Sequence, residues 1–309
     1  MCKRLIRHAA CLLFLSFPAL AAAFDWHTPA MDSRLWKISK AGQPDSYLLG
    51  THHAGRSGDA LPDNIRRILQ QSDRLITEVA MPSKPDAAYS RDVAAMRGRA
   101  FQNGGRIGAE NVATLKKRLS AYPATAASAA GLDDMTLWGA LMLQASIKPQ
   151  GFQTASGIDR LLARAAEQYR IPADSLERYQ DITRPYETLP TARIAELIAA
   201  NNRHPEQTAA QIERQYTLYH SGRLKELMRL SADSSEYGKG LPPQSTAFWQ
   251  NWLEESVLLP RNRAWLPKIL NELPKRRNLI AVGIAHLPDE NGLIMQLRRQ
   301  GYTVEPVAE

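Results

Sequence analysis

The chain has 309 residues and a formal net charge of +8 at pH 7. That length allows one large domain or two smaller ones. The basic residues are scattered and fall mostly on predicted helices. They form no clustered stripe interleaved with aromatic side chains, so the sequence does not predict nucleic-acid binding.

The beginning of the chain has the pattern of a secretory signal peptide. Lys3, Arg4 and Arg7 precede an apolar run over residues 9–20, and the small residues 19–23 offer Ala-x-Ala cleavage patterns. The apolar run is shorter than the roughly 20 residues that a membrane-spanning helix needs. We therefore expect residues 1–23 to be removed, the protein to be periplasmic or secreted, and no stable membrane insertion after cleavage.

Cleavage would also remove every cysteine, because Cys2 and Cys11 both lie in the predicted signal peptide. The mature chain could then form no disulfide, no thiolate metal site and no cysteine nucleophile. It would carry 36 basic and 31 acidic residues, which is a mild excess. Residues 24–309 contain no Gly/Ser linker, repeat or low-complexity stretch, and we predict a single domain.

The first part of the mature chain predicts a hairpin followed by a crossover. Short strands at residues 35–38 and 47–49 flank a turn-rich link at 41–45. A helix at 62–71 has proline near its first turn, and the sequence RLITEV at 74–79 predicts a strand. The second strand, the helix and RLITEV together form a strand–helix–strand unit with parallel strands.

The middle of the chain, from about residue 100 to 275, is mostly helical, because apolar residues recur there at three-to-four spacing. A short strand at 174–177 and a loop at 231–243, rich in Ser, Gly and Pro, interrupt it. The predicted helices in this region are residues 111–120, 134–147, 158–169, 190–201, 205–220, 224–230, 244–258 and 261–273.

The end of the chain predicts a second strand–helix–strand unit. A buried-strand pattern, NLIAV, covers residues 278–282, a helix follows at 289–300, and a last strand covers 302–306. The sequence therefore predicts an α/β protein. Its small mixed sheet would be formed by the N- and C-terminal strand–helix–strand units, with the large helical insertion between them.

Ionisable residues fall at the carboxyl ends of the predicted strands. His53, Glu78 and His286 each end or follow one strand, and Glu177 is a fourth candidate at the end of the strand at 174–177. In open α/β sheets, ligands bind in the crevice outside these strand ends. His53 and Glu78 would share that crevice if their strands are adjacent and parallel. His286 would join them only if its strand belongs to the same sheet.

The two histidines occur in the same local pattern, Gly-x-x-His, which begins at Gly50 and at Gly283. A glycine there lets the backbone turn sharply or approach a ligand closely. Two imidazoles and a carboxylate are a common set for a divalent metal ion, which can generate hydroxide and polarise a carbonyl. Without a metal, the same groups are suited to general acid–base chemistry. Each signal alone is more typical of a loop residue or an ion pair, and their combination favours a functional site.

The other histidines lack this context. His52 is interpreted as a neighbour of the site, although it stands beside His53 and could replace it as a ligand. We interpret His27, His204 and His220 as surface or packing residues. The sequence contains no His-Glu-x-x-His, Gly-x-Ser-x-Gly, P-loop or dinucleotide-binding motif.

Three stretches resemble the TraB/GumN family, also called Tiki-like. They are YLLGTHHAG (47–55) with LPDNIRRILQQSDRLITEV (61–79), then SGIDRLLARAAEQYRIPADSLERYQ (156–180), and finally LLPRNRAWLPKIL (258–270) with NLIAVGIAHLPDENGLIMQLRRQGYTVEPV (278–307). The resemblance implies a Tiki/EreA/ChaN-like fold. It also implies functional positions at His53, Glu78, Glu177, Arg261 and His286, with His53, Glu78 and His286 as the metal ligands.

The function implied by the resemblance is a periplasmic metal-dependent hydrolase of peptide or amide bonds. Glu78 or Glu177 would act as base, and Arg261 would bind a substrate carboxylate or neutralise a developing negative charge. Two alternatives remain open. The crevice could bind haem or another small ligand, with two histidines as axial ligands, or the protein could be a metal-free, esterase-like hydrolase with a histidine base.

Overall fold

A computed structural model describes residues 33–307 except 83, 85, 102–107, 123–124 and 233–239. The predicted signal peptide and His27 lie outside the described residues, as does most of the predicted loop at 231–243. No helix in the described part of the chain is both long enough and apolar enough to cross a membrane.

The strands of the described chain form two sheets. They are β1 Leu35–Ser39, β2 Ser46–Thr51, β3 Gly55–Arg56, β4 Arg74–Val79, β5 Phe152–Gln153, β6 Ala173–Glu177, β7 Asn278–Gly283 and β8 Thr303–Pro306. The larger sheet has the order β6-β4-β7-β2-β1-β8, and β3 pairs with β5 in the smaller one. Strands β6, β4, β7 and β2 are parallel, whereas β1 is antiparallel to both of its neighbours. The protein is therefore of the α/β class with a mostly parallel sheet.

The hairpin predicted near the start of the chain is present. Strands β1 and β2 are antiparallel, and Leu35 lies opposite Leu49. The link between them turns at Gly42, whose φ of 77° lies in the left-handed region that glycine adopts without strain. Strand β8 pairs with the other edge of β1, so both ends of the described chain meet in this part of the sheet.

Strand β7 lies between β2 and β4 and is parallel to both. The prediction that the last strand–helix–strand unit joins the same sheet is therefore confirmed. The condition that the strands of His53 and Glu78 be adjacent is not met, because β7 separates them. Pairing between strands so distant in sequence leaves no local pattern, so the strand order could not be predicted from the residues.

The described helices agree in most cases with the predicted ones to within about two residues. They are α1 Asp63–Gln71, α2 Ala87–Ala100, α3 Ala109–Ser120, α4 Ala126–Ala129, α5 Leu137–Ala145, α6 Ile158–Gln168, α7 Arg184–Glu187, α8 Thr191–Arg203, α9 Pro205–His220, α10 Leu224–Ala232, α11 Pro243–Trp252, α12 Leu259–Glu272 and α13 Leu293–Arg299. Short 3-10 turns cover Ala130–Asp134, Thr154–Ser156, Tyr179–Asp181 and Ile284–His286.

Several helices differ from the prediction, including α4 and α7, which were not predicted, and α5, which is shorter than the predicted 134–147. Helix α2 was not predicted, because none of its residues is buried and its sequence has no apolar face. The last helix, predicted over residues 289–300, begins only at Leu293. Asp289 has a φ of 67°, which is outside the helical region, and a side chain at Gly292 would collide with the carbonyl of Pro288.

Both faces of the sheet are buried, as is usual for parallel strands. Along β7, Leu279 and Ala281 pack on one face with helices α1, α6, α9 and α10, whereas Ile280 and Val282 pack on the other face with α12 and α13. Full burial of one such aliphatic side chain is worth about 1.5–3 kcal/mol. The alternating side chains of a single strand therefore hold two helical layers.

Helices α3, α5 and α8 share a separate hydrophobic core in the helical insertion. A six-residue π-helical segment, Leu253–Leu258, joins α11 to α12 without a loop. Two separate helices, at 244–258 and 261–273, were predicted here. A π-helical segment changes the direction in which the following side chains point, and such segments often occur beside functional sites. Here it directly precedes the turn of α12 that carries Arg261 and Asn262.

Candidate active site

The carboxyl ends of four parallel strands bring the predicted site residues together. Glu78 is the last residue but one of β4, and Glu177 is the last residue of β6. His53 follows β2 after one intervening residue, and His286 lies in the 3-10 turn after β7. Arg261 reaches the same place from helix α12.

Gly283, at the end of β7, is the point where His53 and Glu78 meet. Its backbone N–H donates to Glu78 Oε1. A Cβ atom built on Gly283 would lie 3.1 Å from Glu78 Oε1 and 3.2 Å from His53 Nε2. The absence of a side chain here lets both the carboxylate and the imidazole lie close to the strand. This explains why glycine stands at the start of the second Gly-x-x-His pattern.

His53 is held by Asp159, which the sequence did not single out. The Nδ1 atom of His53 is 2.7 Å from Asp159 Oδ2, and the Thr51 hydroxyl donates to Asp159 Oδ1. Asp159 is buried in the first turn of α6, where the helix dipole favours a carboxylate. One sequence signal could have indicated Asp159. It is an acidic residue on the same face of the predicted helix as Ile158 and Leu162, which are buried.

The loop that carries His53 is locked onto α6 by its backbone. The N–H of Ile158 donates to the carbonyl of His52 at 3.0 Å. A Cβ atom on Gly157 would lie only 2.5 Å from the carbonyl oxygen of His53. The close approach of the two segments therefore requires glycine at position 157. It also fixes the position of the His53 backbone, from which the imidazole extends.

The charge of Asp159 favours the protonated form of His53. Coulombic attraction to this carboxylate raises the pKa of His53 above its usual value of 6.5, and the hydrogen bond between them adds to the rise. The His53 side chain is 66% exposed, so water weakens the attraction and limits the rise. With Nδ1–H donated to Asp159, the Nε2 atom is the one that faces Gly283 and Glu78.

His286 is buried and held by Asn262 of helix α12. Its Nδ1 atom is 2.8 Å from Asn262 Oδ1, while the amide nitrogen of Asn262 donates to the carbonyls of His286 and Asn291. The amide oxygen is therefore the acceptor for His286 Nδ1–H. Burial lowers the pKa of His286 to about 3, so this imidazole is neutral. Its Nε2 lone pair faces Arg261 Nη1 at 3.2 Å.

Arg261 lies between the two glutamates. Its Nη2 donates to Glu78 Oε2 at 2.5 Å and also to Glu177, and its Nε is 3.0 Å from Glu177 Oε1. The guanidinium stacks over Trp265, with its carbon 4.5 Å from the ring centroid, and Trp265 Nε1 donates to Glu177 at 3.3 Å. The side chains of Arg261, Glu78 and Glu177 are only 16%, 12% and 14% exposed.

The two glutamates differ in their affinity for a proton. Burial would raise the pKa of Glu78, but the positive charges of Arg261 and of protonated His53 lower it overall. For Glu177, burial outweighs Arg261 and raises the pKa. Glu177 is therefore the carboxylate better suited to accept a proton near neutral pH.

The residue types at the site fit a divalent ion. Each histidine has its Nδ1 held by a neighbour, as metal-binding histidines commonly do. His286 Nε2 and Glu78 Oε1 are 3.9 Å apart, whereas two donors sharing one tetrahedral zinc ion lie roughly 3.3 Å apart. Within the described ranges, no three His, Cys, Asp or Glu residues already stand in a metal-binding arrangement. Arg261 instead bonds to Glu78 Oε2 and faces His286 Nε2.

His52 does not point into this group. Its Nδ1 bonds to the carbonyl of Ala54 at 2.8 Å, and its ring stacks on Tyr219 at a centroid distance of 5.6 Å. Burial lowers the pKa of His52 to about 4. His220 packs against Tyr216, and His204 lies beside Glu206 at the start of α9. These contacts agree with the interpretation of His204 and His220 as surface or packing residues, and of His52 as a neighbour of the site.

A sequence profile of the TraB/PrgY/gumN family matches residues 34–306. The chain belongs to the TraB/PrgY/gumN family. This match covers all eight strands and every residue of the site. The family resemblance of the quoted motifs is thereby confirmed.

Three individual proteins are similar to this TraB/PrgY/gumN chain. It is 27% identical to "Uncharacterized protein YbaP" of Shigella flexneri and to the protein of the same title in Escherichia coli (strain K12), over 87% of this chain and 92% of each relative. It is 23% identical to "Metalloprotease TIKI homolog" of Amphimedon queenslandica, over 95% of this chain and 65% of that protein. No solved structure matches significantly.

Proposed function

We propose that this protein is an exported hydrolase that cleaves peptide or amide bonds with a divalent metal ion held by His53, Glu78 and His286. Family membership and the similarity to a protein titled as a metalloprotease support a hydrolase. The signal-peptide pattern of residues 1–23 supports export. The substrate is a peptide or a small molecule with an amide bond.

One observation carries the proposal. Two histidines from strands at opposite ends of the chain have Nδ1 bound to Asp159 and to Asn262, and both Nε2 atoms lie in the group around Glu78. Neutral His286 has the protonation state that a metal ligand requires, whereas His53, whose pKa is raised by Asp159, would have to give up its Nε2 proton on binding an ion. An ordinary packing histidine would not need a buried partner that fixes its tautomer beside a buried carboxylate.

Each residue of the chain has a role in this proposal. A divalent ion held by His53, Glu78 and His286 would supply an activated water and polarise the carbonyl. Glu177, whose pKa is raised by burial, would take up a proton from that water and pass it to the leaving nitrogen. Arg261 neutralises the negative charge that develops on the carbonyl oxygen or binds a substrate carboxylate.

Elemental analysis and a peptidase and amidase screen of the mature chain test the proposal. We expect bound zinc or another divalent ion, activity that a chelator removes and added metal restores, and loss of both metal and activity in His53→Ala and His286→Ala. His204→Ala is the matched control, because His204 lies outside the site. A protein that binds no divalent ion and behaves identically in all three variants would refute the metal-dependent hydrolase.

A metal-free hydrolase is the second candidate, and the Asp159–His53 pair favours it. A histidine oriented by a buried carboxylate is suited to act as base, as in other metal-independent hydrolases. Activity that survives exhaustive chelation and is lost in His53→Ala would support this candidate. In the same preparation, a Soret band on haem titration that disappears in His286→Ala would instead support a haem-binding protein.

A further inference from the structure

Arg261 makes contact with three of the side chains around the proposed metal site. Nη2 bonds to Glu78 Oε2, Nη1 faces His286 Nε2 at 3.2 Å, and Nε and Nη2 bond to Glu177. No other cation among the described residues forms an ion pair with Glu78 or Glu177. The guanidinium therefore bonds to one oxygen of Glu78 and faces the Nε2 atom of His286 that a divalent ion would need, while the other oxygen of Glu78 accepts from the Gly283 N–H.

We propose that Arg261 is a built-in competitor for the metal: its guanidinium holds Glu78 and His286 in the metal-free protein and must release both of them before a divalent ion can bind. The inference rests on the ligand set of the proposed function and adds a residue that controls the occupancy of that set. It predicts that the affinity for metal is set partly by an arginine that is not itself a ligand.

The charges of the site support this competition. Glu78 and Glu177 bring two negative charges into a buried space, and Arg261 supplies one positive charge in direct contact with both. A second cation at the same donors would face the guanidinium at short range, in surroundings where charges are weakly screened. Removing the guanidinium leaves an unbalanced pair of carboxylates, which attracts a divalent ion more strongly.

The contacts of Arg261 also allow it to withdraw without losing its place. The bond from Nε to Glu177 and the stacking on Trp265 involve neither Glu78 nor His286. Because the guanidinium is planar and moves as one unit, release of Glu78 and His286 shifts the whole group, and Glu177 and Trp265 are the partners that remain to it. An arginine that keeps these partners would stay beside the site, where it can meet the substrate.

Calorimetric titration of the chelator-treated mature protein with zinc measures the competition directly. We expect Arg261→Gln to bind zinc at least tenfold more tightly than the wild type, because glutamine removes the positive charge. Arg261→Lys, which keeps the charge but cannot span both glutamates, should fall between them. Arg263→Gln is the matched control, since Arg263 is an exposed arginine two residues further along the same helix, and its affinity should equal the wild type.

A double variant tests whether the added zinc affinity of Arg261→Gln depends on Glu78. Glu78→Gln in the Arg261→Gln background should lose the gain, because one of the two released donors is then missing. If the gain persists in the double variant, zinc binds elsewhere and the inference is overturned. Circular dichroism shows whether each variant is folded, and if Arg261→Gln is not, the comparison of Arg261→Lys with the wild type replaces it.

The outcomes separate this inference from the proposed function. Equal zinc affinity in the wild type and in the Arg261 variants overturns the inference and leaves a metal-dependent hydrolase intact. Zinc that binds Arg261→Gln but not the wild type supports the inference, and it removes metal dependence from the proposed function. Failure of zinc to bind any variant overturns both.

Discussion

The side chains that orient the two site histidines come from different helices. Asp159 of α6 binds Nδ1 of His53, and Asn262 of α12 binds Nδ1 of His286. The histidines themselves could be predicted because each follows a strand with a Gly-x-x-His pattern. The pairings with their partners could not, because hydrogen bonds between residues 106 and 24 positions apart leave no pattern in the sequence, although an acid on the apolar face of a predicted helix marked Asp159.

Asp159→Asn should lower the metal affinity and the activity of the site without changing the positions of its side chains. Asparagine has the size of aspartate but lacks the charge that strengthens the hydrogen bond to His53, and loss of such a supporting partner commonly costs about 10–100-fold in metal affinity or activity. Zinc titration and hydrolysis rates measure the effect. Asp181→Asn, which removes a half-exposed carboxylate that pairs with Arg184, serves as control. Equal affinity in both variants would contradict a positioning role for Asp159.

His286 should make the metal-free protein less stable in mild acid. Its pKa is about 3 in the folded protein and near 6.5 when unfolded, so between these values only the unfolded chain takes up the proton. Stability is therefore unaffected above pH 6.5 and falls as the pH is lowered, by at most about 1.4 kcal/mol per pH unit from this group.

Urea unfolding at pH 7, 6 and 5 in the presence of a chelator checks this dependence. We expect His286→Asn to have a smaller loss of stability between pH 7 and pH 5 than the wild type. The half-exposed His204, replaced in the same way, should leave the loss unchanged. Parallel curves for the wild type and His286→Asn would show that His286 is not kept neutral by burial.

At the scale of elements, the site depends on how closely the ends of β2, β4 and β7 approach one another. The strands themselves were predictable, because their apolar runs end at turn residues, and so were most of the amphipathic helices. Helix α2 was not, since it buries no residue. The order of the strands was also unpredictable, because the hydrophobic pattern of β7 specifies a buried strand without specifying its neighbours.

Gly283→Ala adds only one methyl group at the end of β7, but it should displace side chains of the site. The new methyl group would lie 3.1 Å from Glu78 Oε1 and 3.2 Å from His53 Nε2, so one of the two must move away. We expect at least a tenfold loss of metal affinity or activity, because small displacements of site groups have large effects on rate.

A second glycine provides the control for Gly283→Ala. Gly98 is exposed on α2 with no atom within 4 Å of an added Cβ, so Gly98→Ala should raise stability by about 0.5–1 kcal/mol and leave activity unchanged. Thermal unfolding and hydrolysis assays compare the two variants. Full activity in Gly283→Ala would show that the site tolerates a side chain at the meeting point of the histidine and the glutamate.

At the scale of the whole molecule, the site draws on segments spread over most of the described chain. Glu78 and the backbone N–H that binds it are 205 positions apart in sequence. The prediction of an α/β protein with a large helical insertion is consistent with this arrangement, because helices α3, α5 and α8 have a core of their own.

The central position of β7 also bears on the order of events during synthesis. A ribosome delivers β2 and β4 long before the strand that separates them, so the growing chain exposes two strand edges that lack their native neighbour. Such edges invite pairing with other chains. Neither strand has its native neighbour until residues 278–283 have been made, so the site residues cannot all be in place before that segment emerges.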